Sequence, residues 1–300
     1  MNEFINYLNS TNNVGGNSTG SLAESQVKSS FYDSIKVDRK LGTYITDCVT
    51  SGNHQAFILT GHAGDGKTSI LVQVLKTLGY LQPGAGLRVE EEFANFLYIK
   101  DMSEIAAEKQ ANALRMALAV PQGRRTSLLI SNTGPLLKTF ETLVKEQKEA
   151  SGEDFTDEDR MELQSTLLTQ LDSNDDNAIE VGGYPFILVN IARVDNVPFA
   201  AKILKNILAD GLWEPCANCP CANRCPIKSN HDIVTQQFDR VAAFIENYYR
   251  YLYENDKRMT IRQMVGQISY ALTGNLTCND VMSRHLRAPF FNYNFANLFF

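Results

Sequence analysis

The sequence has few of the features that mark exported, membrane-spanning or broadly nucleic-acid-binding proteins. Its 28 Lys and Arg residues are outnumbered by 34 Asp and Glu residues, which gives a formal net charge of −6. No run of Lys or Arg offers a local basic patch, so charge alone does not favour nucleic acid as a partner. No segment approaches the roughly 18 consecutive apolar residues that a membrane-spanning helix needs, so we expect no membrane partner.

The N-terminal sequence also lacks the pattern of a secretory signal, because residues 1–16 contain no cationic segment followed by an apolar one. The 6 cysteines are too few for a disulfide scaffold in a chain of 300 residues, and 4 of them lie close together. Clustered thiols without an export signal are typical of metal binding in a reducing compartment. We therefore expect a cytoplasmic location.

The chain is long enough for about two domains. Residues 10–30 are rich in Ser, Asn, Gly and Thr, which predicts a flexible N-terminal segment over residues 1–30. Short apolar segments then alternate with segments of helical spacing, including one predicted helix over 31–50. This alternation predicts an α/β fold with a mostly parallel sheet. The predicted strands lie at residues 56–60, 95–101, 127–132 and 184–190.

The α/β core is expected over residues 31–210 and a helical region over 233–300, where only helical patterns occur. The final residues, "RAPFFNYNFANLFF", are rich in Phe and Tyr. They predict a chain that continues beyond this point or pairs with a partner here. A C-terminal strand that packs into the core is the alternative.

The stretch "LTGHAGDGKTSI" fits the phosphate-binding spacing Gly-x-x-x-x-Gly-Lys-Thr and lies between a predicted strand and a predicted helix. Glycines let the backbone approach phosphates closely, and a helix N-terminus adds N–H donors. Lys67 is expected to reach the β and γ phosphates, and the Thr68 hydroxyl to ligate Mg²⁺. The predicted nucleotide-binding residues are Gly61, His62, Ala63, Gly64, Asp65, Gly66, Lys67, Thr68 and Ser69.

Hydrolysis of a nucleotide also needs groups that hold Mg²⁺ and orient water. Asp101 follows the second predicted strand and is a candidate for the magnesium shell, with a helix N-cap as the alternative. Asn132 follows the third strand and could orient water or contact the γ-phosphate, with a simple turn as the alternative. Glu104 is a weaker candidate for a general base.

Three arginines are further candidates near the phosphates. Arg193 follows the fourth predicted strand and could face the γ-phosphate, although a surface ion pair explains it equally well. Arg258 and Arg262 lie at the start of a predicted C-terminal helix and could approach a nucleotide from there.

A cysteine-rich loop is predicted over residues 211–232, within "EPCANCPCANRCPIKSNH". Cys216, Cys219, Cys221 and Cys225 are candidate ligands of a structural Zn²⁺, and His231 could replace one of them. An iron–sulfur cluster and a loop without metal remain open. Cys48 and Cys278 are expected to be ordinary core or surface thiols.

Several motifs together resemble bacterial P-loop ATPases of anti-phage and restriction systems, in particular the DptF type of DNA phosphorothioation-dependent restriction protein. They are "LTGHAGDGKTSI", "LLISNTGPL", "ILVNIARVDN", the Trp-x-x-Cys-x-x-Cys passage from Trp213, and "TIRQMVGQISYALTG". The resemblance covers about residues 50–300. Related ATPases often have Glu directly after the residue that corresponds to Asn132, but this chain has Thr133 there. The resemblance therefore does not identify the catalytic acid.

This resemblance implies an AAA+-like ATPase with a C-terminal helical lid, which uses ATP and Mg²⁺ inside a complex that restricts unmarked DNA. Other restriction subunits would be its partners, DNA would be reached through the complex, and a homo-oligomer is a further expectation. A scaffold that binds ATP without hydrolysing it, and so assembles partner proteins, is the alternative function.

Overall fold

The computed structural model describes residues 1–12, 28–82, 84–173, 177–283 and 289–300. Within them the chain forms two compact units. The helical unit comprises Met1–Val37 together with Asp195–Phe300, and the sheet unit comprises Asp38–Val194. The predicted core of 31–210 therefore extends too far at both ends, since residues 31–37 and 195–210 belong to the helical unit.

The secondary structure of the described residues is mostly helical. The helices are α1 (Glu3–Thr11), α2 (Tyr32–Ile35), α3 (Lys40–Ser51), α4 (Lys67–Thr77), α5 (Ala107–Ala119), α6 (Thr133–Ser151), α7 (Asp157–Asp172), α8 (Ala200–Ile207), α9 (Asp210–Ala217), α10 (Pro226–Gln236), α11 (Phe238–Glu254), α12 (Ile261–Thr273), α13 (Cys278–Met282) and α14 (Phe295–Phe299). The strands are β1 (Ala56–Thr60), β2 (Glu90–Glu92), β3 (Phe96–Ile99), β4 (Thr126–Ile130), β5 (Ile179–Val181) and β6 (Tyr184–Asn190).

The sheet unit contains a mixed, mostly parallel six-stranded sheet with the order β2-β3-β4-β1-β6-β5. The four inner strands are parallel to one another, and the short edge strands β2 and β5 are antiparallel to their neighbours. The predicted α/β fold with a mostly parallel sheet is thus confirmed. The edge strands were not predicted, because "EEE" and "IEV" are too short and too charged to show a strand pattern.

The central strand β1 explains why the sheet is covered on both faces. All five residues of "AFILT" are buried, and successive side chains point to opposite faces of a strand. Phe57 and Leu59 pack into one apolar cluster with Ile70 of α4. Ile58 packs into the cluster on the other face, with Leu114 and Phe140 of α5 and α6. A strand buried in this way reads as a continuous apolar run.

The helical unit begins with α1, so the prediction of a flexible segment over residues 1–30 is wrong for residues 3–11. Phe4, Ile5 and Leu8 are buried, and the Asn2 side chain caps the helix by accepting from the Phe4 amide. The buried face of α1 packs against α12. Residues 13–27 lie outside the described residues. The predicted helix over 31–50 is divided into α2 and α3.

Helices α2 and α8 to α14 form the rest of the helical unit. The buried Asn230 side chain of α10 donates to the carbonyls of Leu272 and Tyr293 and accepts from the Phe295 amide. These bonds fix the last described segment, where Phe295 and Phe299 are buried. Tyr293 is buried as well, whereas Phe290, Phe291 and Phe300 are exposed.

None of the helices in the described part of the chain combines the length and the apolar character that crossing a membrane requires.

The docking of α1 can be tested through Phe4, which is fully buried against the rings of Tyr7, Phe31 and Trp213. Phe4→Ala should lower the free energy of unfolding by about 3–5 kcal/mol, because it leaves a cavity that neighbouring rings cannot fill. Asn6→Ala, on the exposed face of the same helix, should change it by less than about 0.5 kcal/mol. Urea unfolding followed by circular dichroism measures both variants, and equal stabilities would contradict the docking.

Candidate functional site

A glycine-rich loop joins the carboxyl end of β1 to the first turn of α4, as the sequence predicts. Gly61, Gly64 and Gly66 have φ values of 143°, 89° and 92°, in the left-handed region that favours glycine. The loop therefore turns sharply and leads into a helix N-terminus, where the first N–H groups have no partner within the helix. Because β1 is central, the loop lies at the middle of the sheet edge.

Gly61 is the most tightly enclosed residue of this loop. A Cβ atom there would lie 3.0 Å from the Ala192 nitrogen and 3.1 Å from Asp65 Oδ2. The Asp65 carboxylate is buried, and its Oδ2 accepts a hydrogen bond of 2.9 Å from the His62 amide. The turn is thus closed by one of its own side chains, and a larger residue at position 61 would strain the backbone and displace its neighbours.

Lys67 directs its ammonium group back over the loop. Its Nζ donates to the carbonyl oxygens of Gly61 at 2.8 Å and His62 at 3.0 Å. Asn132 Oδ1 lies 3.4 Å from the same nitrogen. A positive charge is therefore held beside the N-terminus of α4, which is itself a favourable place for an anion. Thr68 and Ser69 follow in the first turn, half-buried.

The structure brings Asn132 to the loop through the neighbouring strand. It occupies the N-cap position of α6, directly after β4, but its side chain makes no capping hydrogen bond. The Thr60 and Thr133 hydroxyls are 2.9 Å apart and connect the ends of β1 and β4 beside it. The side chain of Asn132 is thus positioned toward Lys67 rather than used to stabilise its own helix.

Asp101 is the N-cap of a short 3-10 helix, Met102–Glu104, whereas the longer helix α5 begins at Ala107. Its Oδ1 accepts from the Ser103 amide at 2.9 Å and from the Ser103 hydroxyl at 2.7 Å. Asp101 follows β3, which β4 separates from β1. Both bonds use Oδ1, and Oδ2 accepts none from the described residues. Glu104 forms an ion pair of 2.9 Å with the buried Lys100, so it is tied to its own strand end.

The three arginine candidates belong to different units. Arg193 forms an ion pair with Asp172 at the surface of the sheet unit. Arg258 and Arg262 belong to the helical unit, where Arg262 lies in the first turn of α12. Burial lowers the pKa of the Arg262 guanidinium.

Two residues behind the loop were missed from the sequence. Gln73, buried in α4, accepts from the Arg39 amide at 2.8 Å and donates to the Arg39 carbonyl at 3.1 Å. The Arg39 guanidinium is buried, and its Nη1 lies 3.5 Å from the Asp65 carbonyl. The pair ties the segment before α3 to the back of the loop. The sequence signal that could have identified Gln73 is its position as a polar residue inside the apolar run "SILVQVL".

The predicted cysteine ligands lie in and after α9, in the helical unit. Cys216 and Cys221 are buried, while Cys219 and Cys225 are half-buried. Cys221 Sγ accepts a hydrogen bond of 3.2 Å from Arg224. His231 stacks on Trp213, and its two ring nitrogens contact Asp232 and Thr235. His231 is therefore engaged elsewhere rather than directed toward the thiols.

Within residues 1–12, 28–82, 84–173, 177–283 and 289–300, no three His, Cys, Asp or Glu side chains are arranged to hold one metal ion. The structural zinc site stays a prediction.

Comparisons of the chain with known protein families, with curated proteins and with solved structures find no match. The resemblance to restriction ATPases is therefore supported only by the motifs of the sequence. The chemistry that the loop could perform is argued from its geometry.

The constraint at Gly61 gives a prediction with a matched control. Gly61→Ala should lower the free energy of unfolding by about 1–3 kcal/mol, because the left-handed backbone and the adjacent Ala192 amide both oppose a methyl group. Gly134→Ala in α6, where nothing lies within 4 Å of an added Cβ, should be neutral or stabilising by up to about 1 kcal/mol. Thermal unfolding measures both, and equal losses would contradict the constraint.

Proposed function

We propose that the chain binds Mg²⁺-ATP at residues 61–69. The observation that carries this proposal is the position of the Lys67 ammonium, held by the Gly61 and His62 carbonyls at the N-terminus of α4. A lysine in this place meets a polyphosphate with positive charge, while the glycines leave room for backbone N–H donors.

Binding would exchange partners around the lysine. Phosphate oxygens would replace the two carbonyls as acceptors, and their negative charge attracts the ammonium group more strongly than a neutral carbonyl does. Thr68 would provide its hydroxyl to Mg²⁺, and the buried Asp65 would keep the loop folded back. Asn132, already beside Lys67, would contact the γ-phosphate or the attacking water.

ATP hydrolysis within a bacterial restriction or phage-defence complex is the function we infer from the combination of this loop with the motifs of the sequence. The chain would be a cytoplasmic AAA+-like subunit, with other restriction proteins as partners and DNA reached through the complex. Its helices after residue 233 would act as the lid of the ATPase. The alternative is a scaffold that binds ATP without turnover.

Lys67→Ala tests nucleotide binding. The variant should lose at least about 100-fold in affinity for Mg²⁺-ATP, since the charge-assisted bonds to the phosphates contribute about 3 kcal/mol. Isothermal titration calorimetry measures this, with Lys138→Ala, an exposed lysine of α6, as the control that should bind normally. If the wild-type chain is folded but takes up no Mg²⁺-ATP, the proposal is wrong.

Asp101→Asn separates the two roles of Asp101. Asn caps a helix about as well as Asp, so the bonds from Ser103 and the fold should be kept while the carboxylate is lost. If Oδ2 holds a magnesium-bound water, ATP turnover should fall about 10–100-fold. Unchanged turnover would assign Asp101 to capping alone. A wild-type chain that binds ATP without turnover, with or without DNA, would instead be the scaffold.

A further inference from the structure

Arg39 is a buried cation behind the glycine-rich loop and outside the predicted nucleotide-binding residues. It is the second residue of the sheet unit and the N-cap of α3, and it is only 7% exposed. An arginine is seldom buried to this extent unless its charge and its donors are engaged. The contacts of its guanidinium group therefore bear on the loop that it supports.

Gln73 fixes the backbone from which this side chain starts. Its side-chain oxygen accepts from the Arg39 amide at 2.8 Å, and its side-chain nitrogen donates to the Arg39 carbonyl at 3.1 Å. Gly42 lies over the same side chain, since a Cβ atom there would come within 2.6 Å of the Gln73 side-chain oxygen. The helix that follows the loop thus sets the position of Arg39.

The guanidinium group reaches the peptide that joins Asp65 to Gly66. Its Nη1 lies 3.5 Å from the Asp65 carbonyl oxygen, and a Cβ atom on Gly66 would lie 3.7 Å from the same nitrogen. This carbonyl contact is at the long end for a hydrogen bond. Both residues are buried, so little water competes for the carbonyl and the contact is strengthened.

The direction of the Asp65 carbonyl decides the direction of the next amide. In a planar trans peptide the C=O and N–H bonds point to opposite sides, and this peptide is trans. With the carbonyl turned toward Arg39, the Gly66 N–H group points away from Arg39. It is thus directed to the front of the loop, where the Lys67 ammonium lies.

Two other amides of the loop are engaged within it. The His62 N–H donates to Asp65 Oδ2 at 2.9 Å, and the Asp65 nitrogen lies 3.3 Å from the His62 carbonyl oxygen. Neither amide can turn to a phosphate while the loop keeps this shape. The orientation of the Gly66 amide, at the start of α4, is correspondingly more important for binding an anion.

We propose that Arg39 is a positioning residue for the phosphate chain, which it serves by holding the Asp65 carbonyl so that the Gly66 amide faces the phosphates beside Lys67. This inference rests on the proposed binding of Mg²⁺-ATP at residues 61–69. Because the amide meets the phosphate chain rather than the base or the ribose, ATP, ADP and inorganic pyrophosphate should depend on Arg39 alike.

Arg39→Met tests this role, because it removes the guanidinium and keeps an unbranched side chain. At a temperature where the protein is fully folded, calorimetry should show about 10-fold weaker binding of Mg²⁺-ATP, Mg²⁺-ADP and pyrophosphate, as expected when a hydrogen bond to a charged group is weakened. Arg240→Met, at an exposed position of α11, is the control and should bind all three within about twofold of the wild type.

NMR of protein labelled with ¹⁵N-glycine separates positioning from a merely structural role. In the wild type, pyrophosphate should shift the Gly66 amide resonance strongly, because a hydrogen bond to phosphate changes the shielding of that proton. Gly152, the C-cap of α6 at the far end from Asn132, should not shift. In folded Arg39→Met the shift of Gly66 should be lost, and Gly152 should again stay unchanged.

If Arg39→Met does not fold, Arg39→Lys provides the second variant. It keeps the buried positive charge, but its shorter side chain ends before the Asp65 carbonyl, and Gln73 prevents the backbone from moving closer. The same loss of affinity is expected. Unchanged affinity and an unchanged Gly66 shift in a folded variant, or a loss confined to one ligand, would overturn the positioning role alone. A wild-type chain that takes up none of the three ligands would overturn the nucleotide site as well.

Discussion

The absence of space at residue 61 is the constraint on which the candidate nucleotide site depends. Gly61 lies between the Ala192 amide and the Asp65 carboxylate, and only a residue without a side chain can turn there. This turn sends the backbone of 62–66 back over the end of β1. As a result, the carbonyls of Gly61 and His62 face the Lys67 ammonium, and α4 begins with its amides toward the same place.

Asp65 and Lys67 carry opposite charges at this turn and lie on opposite sides of it. The buried Asp65 carboxylate uses the His62 amide as a partner, which fixes the loop and places a negative group behind it. Lys67, half-buried at the front, donates to the carbonyl oxygens of Gly61 and His62. Arg39 and Gln73 support the loop from behind without occupying its front.

Much of the sheet unit follows from local sequence, because its signals are short-range. "AFILT", the glycine spacing and the apolar helix after them predict β1, the loop and α4 in register. Long-range partners are not visible in this way. The edge strands have no apolar pattern, and the Arg39–Gln73 pair joins residues that only the fold brings together. The buried face of α1, with Phe4, Ile5 and Leu8, was not predicted, because the polar residues that follow α1 in the sequence indicate a flexible segment.

The helical unit is assembled from both ends of the described chain, with the sheet unit encoded between them. Asn9 of α1 donates to the Leu276 carbonyl, 267 residues later. At typical rates of protein synthesis, the nascent α1 waits on the order of tens of seconds for the surface that covers Phe4 and Leu8. During translation the sheet unit can therefore fold before the buried face of α1 acquires its partner.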